Sequence, residues 1–214
     1  MKRGIAGISF LILTLGFIFS PVSTSAQVRP VQQQTISKPY FELNRELRKL
    51  WIDHTIWTGS YIMSAIAGLP EQQKVLERLL KNQDDIGNAY KPYYGEAAGN
   101  KVAALLREHI IIAGQLVEAA KTGNQPAAAK LNRQWHRNAD DIARYLSKAN
   151  PYWNENVLKD MLYTHLKLIN DQVVFRLKKD WDAEIKAVDV NEEHMLHFAD
   201  ILSGGIAKQF PKKF

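Results

Sequence analysis

Three histidines recur at nearly constant spacing along the chain, and each lies in the middle of an apolar pattern with helical periodicity. They are His54, His109 and His165, separated by 55 and then 56 residues. Self-similarity at a fixed period indicates one supersecondary unit repeated along the chain, with neighbouring copies sharing a core. An inward polar residue in each copy is either a hydrogen-bonding node of the fold or a group that binds a ligand.

Proline, glycine and asparagine residues divide the rest of the chain into six predicted helices. These cover about residues 41–67, 71–90, 96–121, 126–149, 154–187 and 191–208. The sequence shows neither the sustained alternation typical of strands nor a glycine-rich phosphate loop. It therefore predicts an all-α six-helix bundle built from three related αα-hairpins.

The second helix of each hairpin also carries a repeated pattern. The segment Asn82 to Ile86 matches Asn138 to Ile142 at an offset of 56 residues, and a third copy ending at Ile201 is more divergent. Equivalent inward positions are expected for Asn82, Asn138 and His197. The edge of each apolar stripe, three residues further on, is expected to hold Asp85, Asp141 and Asp200.

The predicted interior His/Asn/Asp network has two interpretations. Burying these groups without partners would cost about 1–3 kcal/mol each, so they must be hydrogen-bonded or bound to a ligand. In the structural interpretation, each histidine donates a ring N–H to the Asp or Asn of its own hairpin and fixes the register of the two helices. In the functional interpretation, the other ring nitrogens converge on a metal or anion, and a carboxylate behind each histidine orients it.

The metal hypothesis has one local signal, which is the pair His194 and His197 at i and i+3 on one helical face. Nitrogen-rich ligation would favour zinc, copper or iron over calcium. The sequence lacks Glu-x-x-His and His-Glu-x-x-His, the usual signatures of di-iron bundles and of zinc proteases. The candidate ligands are thus His54, His109, His165, His194 and His197.

The N-terminus has the features of a secretory signal peptide. A basic start at Lys2-Arg3 precedes an apolar run, and Thr24-Ser25-Ala26 places small residues at the cleavage site, so we expect cleavage after Ala26. Residues 27–39 are polar and predict a flexible tether, which leaves 40–214 as a single domain. The chain has no cysteine, so the core must stabilise this domain without disulfides.

The net charge of +6 is spread among acidic residues. It favours at most a weak attraction to anionic surfaces of the cell envelope, and the predicted export together with the lack of a basic stripe argues against nucleic acid as a partner. The sequence predicts neither an oligomeric state nor a particular ligand.

Several stretches resemble a family of small exported bacterial proteins. The similarity covers nearly the whole predicted mature chain and is carried by Leu50 to His54, Asn82 to Gly87, Pro92 to Gly95, Ala119 to Lys121, Asn138 to Ile142 and Gln209 to Pro211. Members tend to bear enzyme names such as glycosyltransferase or acetylglutamate kinase, and the resemblance assigns no catalytic residue. Both chemistries normally use a nucleotide-binding α/β scaffold, which this sequence does not predict.

Three functions are compatible with the sequence. The leading one is an exported, non-catalytic binding protein of the cell envelope or medium, with the histidine network as a possible metal or small-ligand site. The second is a structural or interaction bundle in which the network only fixes helix register. The third is an envelope enzyme that uses a metal-activated water or a His–Asp base, and it requires an open cleft that reaches the histidines.

Overall fold

The computed structural model describes residues 37–214, which form six α-helices and one short 3-10 turn and contain no strand. The helices are α1 Lys38–Ala67, α2 Gln72–Tyr94, α3 Glu96–Lys121, α4 Gln125–Ala149, α5 Glu155–Lys178 and α6 Trp181–Gln209, and the turn is Pro211–Lys213. The prediction of an all-α six-helix bundle is confirmed. Within the described range, no helix combines the length and apolarity needed to cross a membrane. The predicted signal peptide and residues 27–36 of the predicted tether lie outside that range.

The first helix includes the last two residues of the predicted tether, Lys38 and Pro39. The Ser37 hydroxyl accepts a hydrogen bond from the backbone N–H of Tyr40 at 3.3 Å, and Pro39 lies in the first turn, where its missing N–H costs nothing. At the other end, Gly68 adopts a left-handed conformation (φ 67°) and its N–H caps the helix.

The predicted boundary between the last two helices was wrong. The sequence pattern placed the break after residue 187, whereas α5 ends at Lys178 and α6 already begins at Trp181. Lys179 takes the left-handed conformation (φ 59°), and the Asp180 side chain accepts from the N–H of Ala183 at 3.2 Å. The cap is therefore an aspartate inside a polar stretch that keeps helical periodicity, and periodicity alone cannot locate it.

The helices form a closed ring with three of them meeting inside. Each helix packs against its neighbours in the chain, α1 also packs against α6, and α1, α3 and α5 contact one another in the interior. Glycine allows the closest approach between α2 and α3, because a Cβ at Gly87 would lie 2.5 Å from the carbonyl oxygen of Gly99. This arrangement brings the inner faces of α1, α3 and α5, which carry the three histidines, to the centre of the bundle.

Candidate functional site

The three recurrent histidines meet in the interior of the bundle. His54, His109 and His165 are only 2–3% exposed. The Nε2 atoms of His54 and His165 lie 3.4 Å apart, and the rings of His109 and His165 are stacked with centroids 6.3 Å apart. The structure thus brings together the side chains that the repeat predicted to face the core.

A second polar contact recurs around each histidine. The carbonyl group four residues before the histidine accepts a hydrogen bond from a side chain of the next helix, at distances of 2.7–3.1 Å. The three donor–acceptor pairs are Asn82 with Leu50, Asn138 with Leu105, and His194 with Met161. His194, not His197, therefore takes the position of Asn82 and Asn138 in the third pair of helices.

His197 is exposed and lies away from the histidine network. The offset of 56 residues that relates Asn82 to Asn138 leads to residue 194, whereas matching the Asp-Ile steps shifted the third copy by three residues. Residues three apart share a helical face, so the apolar pattern could not reveal this error. The predicted histidine pair is thereby divided between the interior and the surface.

Asp85, Asp141 and Asp200 form ion pairs with lysine or arginine side chains near the surface and make no hydrogen bond to the histidines. Asp85 pairs with Lys81, and Asp141 with Arg144 at 2.7 Å, each within its own helix. Asp200 accepts from Arg48 and from Asn44 of α1 at 2.7–2.8 Å and so joins the first helix to the last. Of the hydrogen-bond partners predicted from the sequence, Asn138 bonds to a histidine ring, and the other rings contact two carboxamides that were not predicted, those of Gln83 and Asn191.

Two of those carboxamides fix the protons on their histidines. Asn138 donates its Nδ2 to a backbone carbonyl, so its Oδ1 faces His109 and accepts from His109 Nδ1 at 2.8 Å. Asn191 Oδ1 lies 2.7 Å from His165 Nδ1. Because an amide oxygen can only accept, His109 and His165 carry their protons on Nδ1 and leave Nε2 as a lone pair.

The third carboxamide acts on His54 in the opposite sense. Gln83 Nε2 lies 2.8 Å from the Leu79 carbonyl oxygen, 3.0 Å from Asn82 Oδ1 and 3.3 Å from His54 Nδ1. The two oxygens require the amide nitrogen at this place, and its two protons are shared among three acceptors, of which His54 Nδ1 is the most distant. The proton of His54 is then on Nε2 and points at the His165 lone pair.

The result is a hydrogen-bond chain with one direction. It runs from Gln83 through His54 and His165 to Asn191, and it crosses from α2 to α1, α5 and α6. Each ring nitrogen of the chain has a partner of the opposite kind. Such a chain satisfies buried imidazoles without any bound ligand.

Burial keeps the three histidines neutral. Desolvation is the largest cause in each case. It lowers the pKa of His109 to about 3 and that of His165 to about 4, although each ring gains a hydrogen bond that opposes the shift. The pKa of His54 is lowered well below its usual value by burial and by repulsion from His165 and His109. A charge on any of them would be both desolvated and next to another imidazole.

The network supplies only part of the donor set that the metal interpretation requires. Two nitrogen ligands of a tetrahedral zinc lie roughly 3.3–3.4 Å apart, which matches the Nε2 separation of His54 and His165. However, the donor of Gln83 holds the His54 proton on Nε2, the atom that would have to bind the metal. Residues 37–214 also contain no group of three or more His, Asp or Glu side chains placed to hold a metal. Zinc, copper or iron therefore lacks a complete donor set among these residues.

A cleft of about 410 Å³ opens next to the network, between α3, α4 and α5. Its walls are mostly apolar and carry no charged side chain. The lining residues are Ala113, Leu116, Val117, Ala120, Gln125, Ala128, Ala129, Asn132, Trp135, Ile169, Asn170, Val173, Val174 and Leu177. Volume and composition are those of a site for a small organic molecule.

Two polar atoms of the cleft residues have no partner in the described part of the protein. They are the indole Nε1 of Trp135 and the Oδ1 of Asn132, both buried at the level of the atom. Trp135 is 1% exposed, and its ring packs on that of His109 with centroids 5.1 Å apart. Neither atom is exposed to the cleft, so neither offers a hydrogen bond to a ligand that lies in it.

The enzymatic hypothesis required an open cleft that reaches the histidines. The cleft ends on Trp135, and the imidazole of His109 lies behind that indole and is 3% exposed. The site residues predicted from the sequence did not include Trp135, Gln83, Asn132 or Asn191. Asn191 could have been found, because it lies one turn before His194 on the same face of α6.

No family model, no curated protein and no solved structure matches the chain, so its function is inferred from the geometry alone.

Proposed function

We propose that the protein is an exported, non-catalytic binding protein of the cell envelope or medium that holds a small organic molecule in the cleft between α3, α4 and α5. The observation that carries this proposal is the mostly apolar cleft of about 410 Å³ between these helices, whose lining has no charged side chain. Apolar walls supply affinity, and a few placed polar groups supply orientation.

The histidine network has a supporting role in this proposal. The ring nitrogens of His54 and His165 have partners within the protein, and His109, which is bonded to Asn138, packs against the indole of Trp135. Because His109 already holds the Trp135 side chain in place, that side chain does not have to be ordered when a ligand binds, which reduces the entropic cost of binding. The network thus contributes to binding by preorganising the cleft.

Binding is tested with N-phenyl-1-naphthylamine, a neutral apolar fluorophore whose emission rises in dry surroundings. Saturable binding at one probe per protein is expected, because the cleft admits one molecule of this size. Ala128→Phe fills the cleft and should abolish saturable binding. Ala97→Phe places the same ring on an exposed position of α3 and should leave binding unchanged.

The proposal fails if the probe does not bind, or if Ala128→Phe and Ala97→Phe bind it equally well. Circular dichroism of both variants shows whether the helical fold is retained, and a thermal melt identifies any loss of stability. Export is tested separately by expressing the full chain in a secreting bacterium. A protein in the medium that begins at Gln27 supports it, and a cell-bound chain that begins at Met1 contradicts it.

A further inference from the structure

We infer that the protein has a second binding site, which takes a primary ammonium group on a short alkyl chain. The site is a surface groove of about 210 Å³ between α1, α5 and α6. Helix α5 contributes to this groove and to the cleft between α3, α4 and α5, but the groove and the cleft share no lining residue. The inference therefore stands apart from the proposed function.

An unpartnered carboxamide faces the groove. Gln172 is 4% exposed, lines the groove and makes no side-chain hydrogen bond within the described part of the protein. Unlike the sealed polar atoms of Trp135 and Asn132, its amide keeps accessible surface. Its Nε2 lies beside α1, at 3.5 Å from the position that a Cβ on Gly59 would take. Since buried polar groups are nearly always hydrogen-bonded, this amide lacks a partner that a ligand in the groove would supply.

The hydroxyl groups of the groove can only accept hydrogen bonds from a ligand. Thr55 Oγ1 donates its proton to the carbonyl oxygen of Ile52, and Ser60 Oγ donates to that of Ile56, both at 2.9 Å. A hydroxyl group has one proton and two lone pairs, so these two offer only lone pairs to the groove. With the oxygen of the Gln172 amide, the lining therefore suits a ligand that is rich in hydrogen-bond donors.

The lining of the groove carries negative charge. Glu184 and Glu192 belong to it, and no lysine, arginine or histidine does. Arg176 balances Glu184, because its Nη1 lies 2.9 and 3.0 Å from the two carboxylate oxygens. Glu192 is exposed and, within residues 37–214, is not among the glutamates that form ion pairs. One carboxylate is thus left for a cation, and a primary ammonium group, with three donors and no acceptor, matches it and the neighbouring oxygens.

The apolar part of the groove suits an alkyl chain. Ile56 and Met63 of α1 line it and are 53% and 44% exposed, so a bound chain would remove apolar surface from water. A volume of about 210 Å³ corresponds to about seven groups of roughly 30 Å³, the share of one water molecule in the liquid. Hexylammonium has about this size. A bare metal ion would leave both side chains uncovered, and residues 37–214 hold no group of three His, Asp or Glu side chains placed to bind one.

The test is a heteronuclear NMR titration of the isotope-labelled protein with hexylammonium, hexanoate and 1-hexanol, which share one alkyl chain and differ in the head group. Hexylammonium should shift the backbone amides of Gly59 and Ser60 and the side-chain amide of Gln172 saturably. Its midpoint should lie about tenfold or more below those of the other two compounds, because only it forms charge-assisted hydrogen bonds with the acceptors. Glu192→Gln should raise this midpoint by about threefold to tenfold. Glu193→Gln removes the same charge from an exposed neighbour outside the lining and should leave the midpoint unchanged.

The inference is wrong if hexylammonium causes no saturable shift at these groups, if the three head groups bind equally, or if Glu192→Gln and Glu193→Gln have the same effect. It is also wrong if calcium chloride causes the same shifts at a lower concentration, since the groove would then select a metal ion. Nα-acetyl-lysine amide carries the same ammonium group on a peptide. A lower midpoint for it assigns the ammonium to a lysine of a partner protein, and a higher one assigns it to a free amine. Ala128→Phe, which fills the cleft, should not alter the shifts, so this inference and the proposed function fail separately.

Discussion

Acidification should destabilise the bundle through its buried histidines. In the folded protein the pKa of His109 is lowered to about 3 and that of His165 to about 4, chiefly by burial, whereas in the unfolded chain a histidine titrates near 6.5. The unfolded state therefore binds more protons between these values. The free energy of unfolding therefore keeps its full value above pH 6.5 and decreases as the pH falls toward 4.

The size of the effect follows from the gap between the two states. A pH of 4.5 is two pH units below the pKa of a histidine in the unfolded chain. Protonation then stabilises the unfolded state by about 2.7 kcal/mol for each histidine, at 1.36 kcal/mol per pH unit. His109 and His165 together should lower the free energy of unfolding by about 5 kcal/mol relative to pH 7.5. The pKa of His54 is also lowered, so it acts in the same direction. A loss of this size is comparable to the whole stability of many domains of this length.

The assay is urea unfolding, followed by far-ultraviolet circular dichroism at pH 7.5 and pH 4.5 and at constant ionic strength. Surface carboxylates also titrate in this range, so the decisive sample is the double variant His109→Leu, Asn138→Leu, which removes one buried imidazole together with its partner. Its loss of stability between the two pH values should be smaller than that of the wild type by about 2.7 kcal/mol. His197→Gln, at an exposed position, should leave the loss unchanged. Equal losses in the wild type and the double variant would refute the reasoning.

Three further predictions concern helix packing and metal. Gly205→Ala should lower the free energy of unfolding by about 1–3 kcal/mol, because the new Cβ would overlap the rigid indole of Trp153. Gly204→Ala is the control, since a Cβ there would meet no atom within 4 Å. It should leave the free energy of unfolding unchanged or raise it by up to about 1 kcal/mol in the same urea titration. Gly68→Ala should cost about 1 kcal/mol, because the residue caps α1 at φ 67°; an unchanged unfolding midpoint would contradict this. Elemental analysis of protein purified without a tag or chelator should find zinc, copper and iron well below one equivalent, and a stoichiometric metal would show that the Gln83 amide can turn.

Much of the fold could be predicted because it depends on the spacing of apolar residues and on the residues that start and end helices. The apolar stripes around His54, His109 and His165 have helical period, and Gly68 and Pro126 mark helix ends, so the number and order of the helices follow. The end of α5 could not be predicted in this way. Lys179 is left-handed without being a glycine, and nothing in its neighbourhood distinguishes it from a helical lysine.

The site was predictable only in part for a related reason. Periodicity identifies which face of a helix is buried, and it correctly turned the three histidines inward. It does not identify which polar neighbour will reach a ring nitrogen, since Asn191, His194 and His197 are each three residues apart on α6. It also cannot show that Trp135 and Asn132 are left without partners, because that depends on atoms from three helices that meet only in the folded chain.

The histidine network explains how a bundle without disulfides can select one arrangement of its helices. Apolar packing is non-directional and tolerates shifts of register, whereas the chain from Gln83 through His54 and His165 to Asn191 forms only when α2, α1, α5 and α6 are in one alignment. The bond between His109 and Asn138 adds α3 and α4. Each of the six helices therefore contributes a group to the network. In each pair of helices a side chain also bonds to the carbonyl four residues before the histidine, and this recurrence supports the hypothesis of three related hairpins. A core aligned in this way holds Trp135 in place, so the same hydrogen bonds that specify the fold also shape the proposed binding cleft.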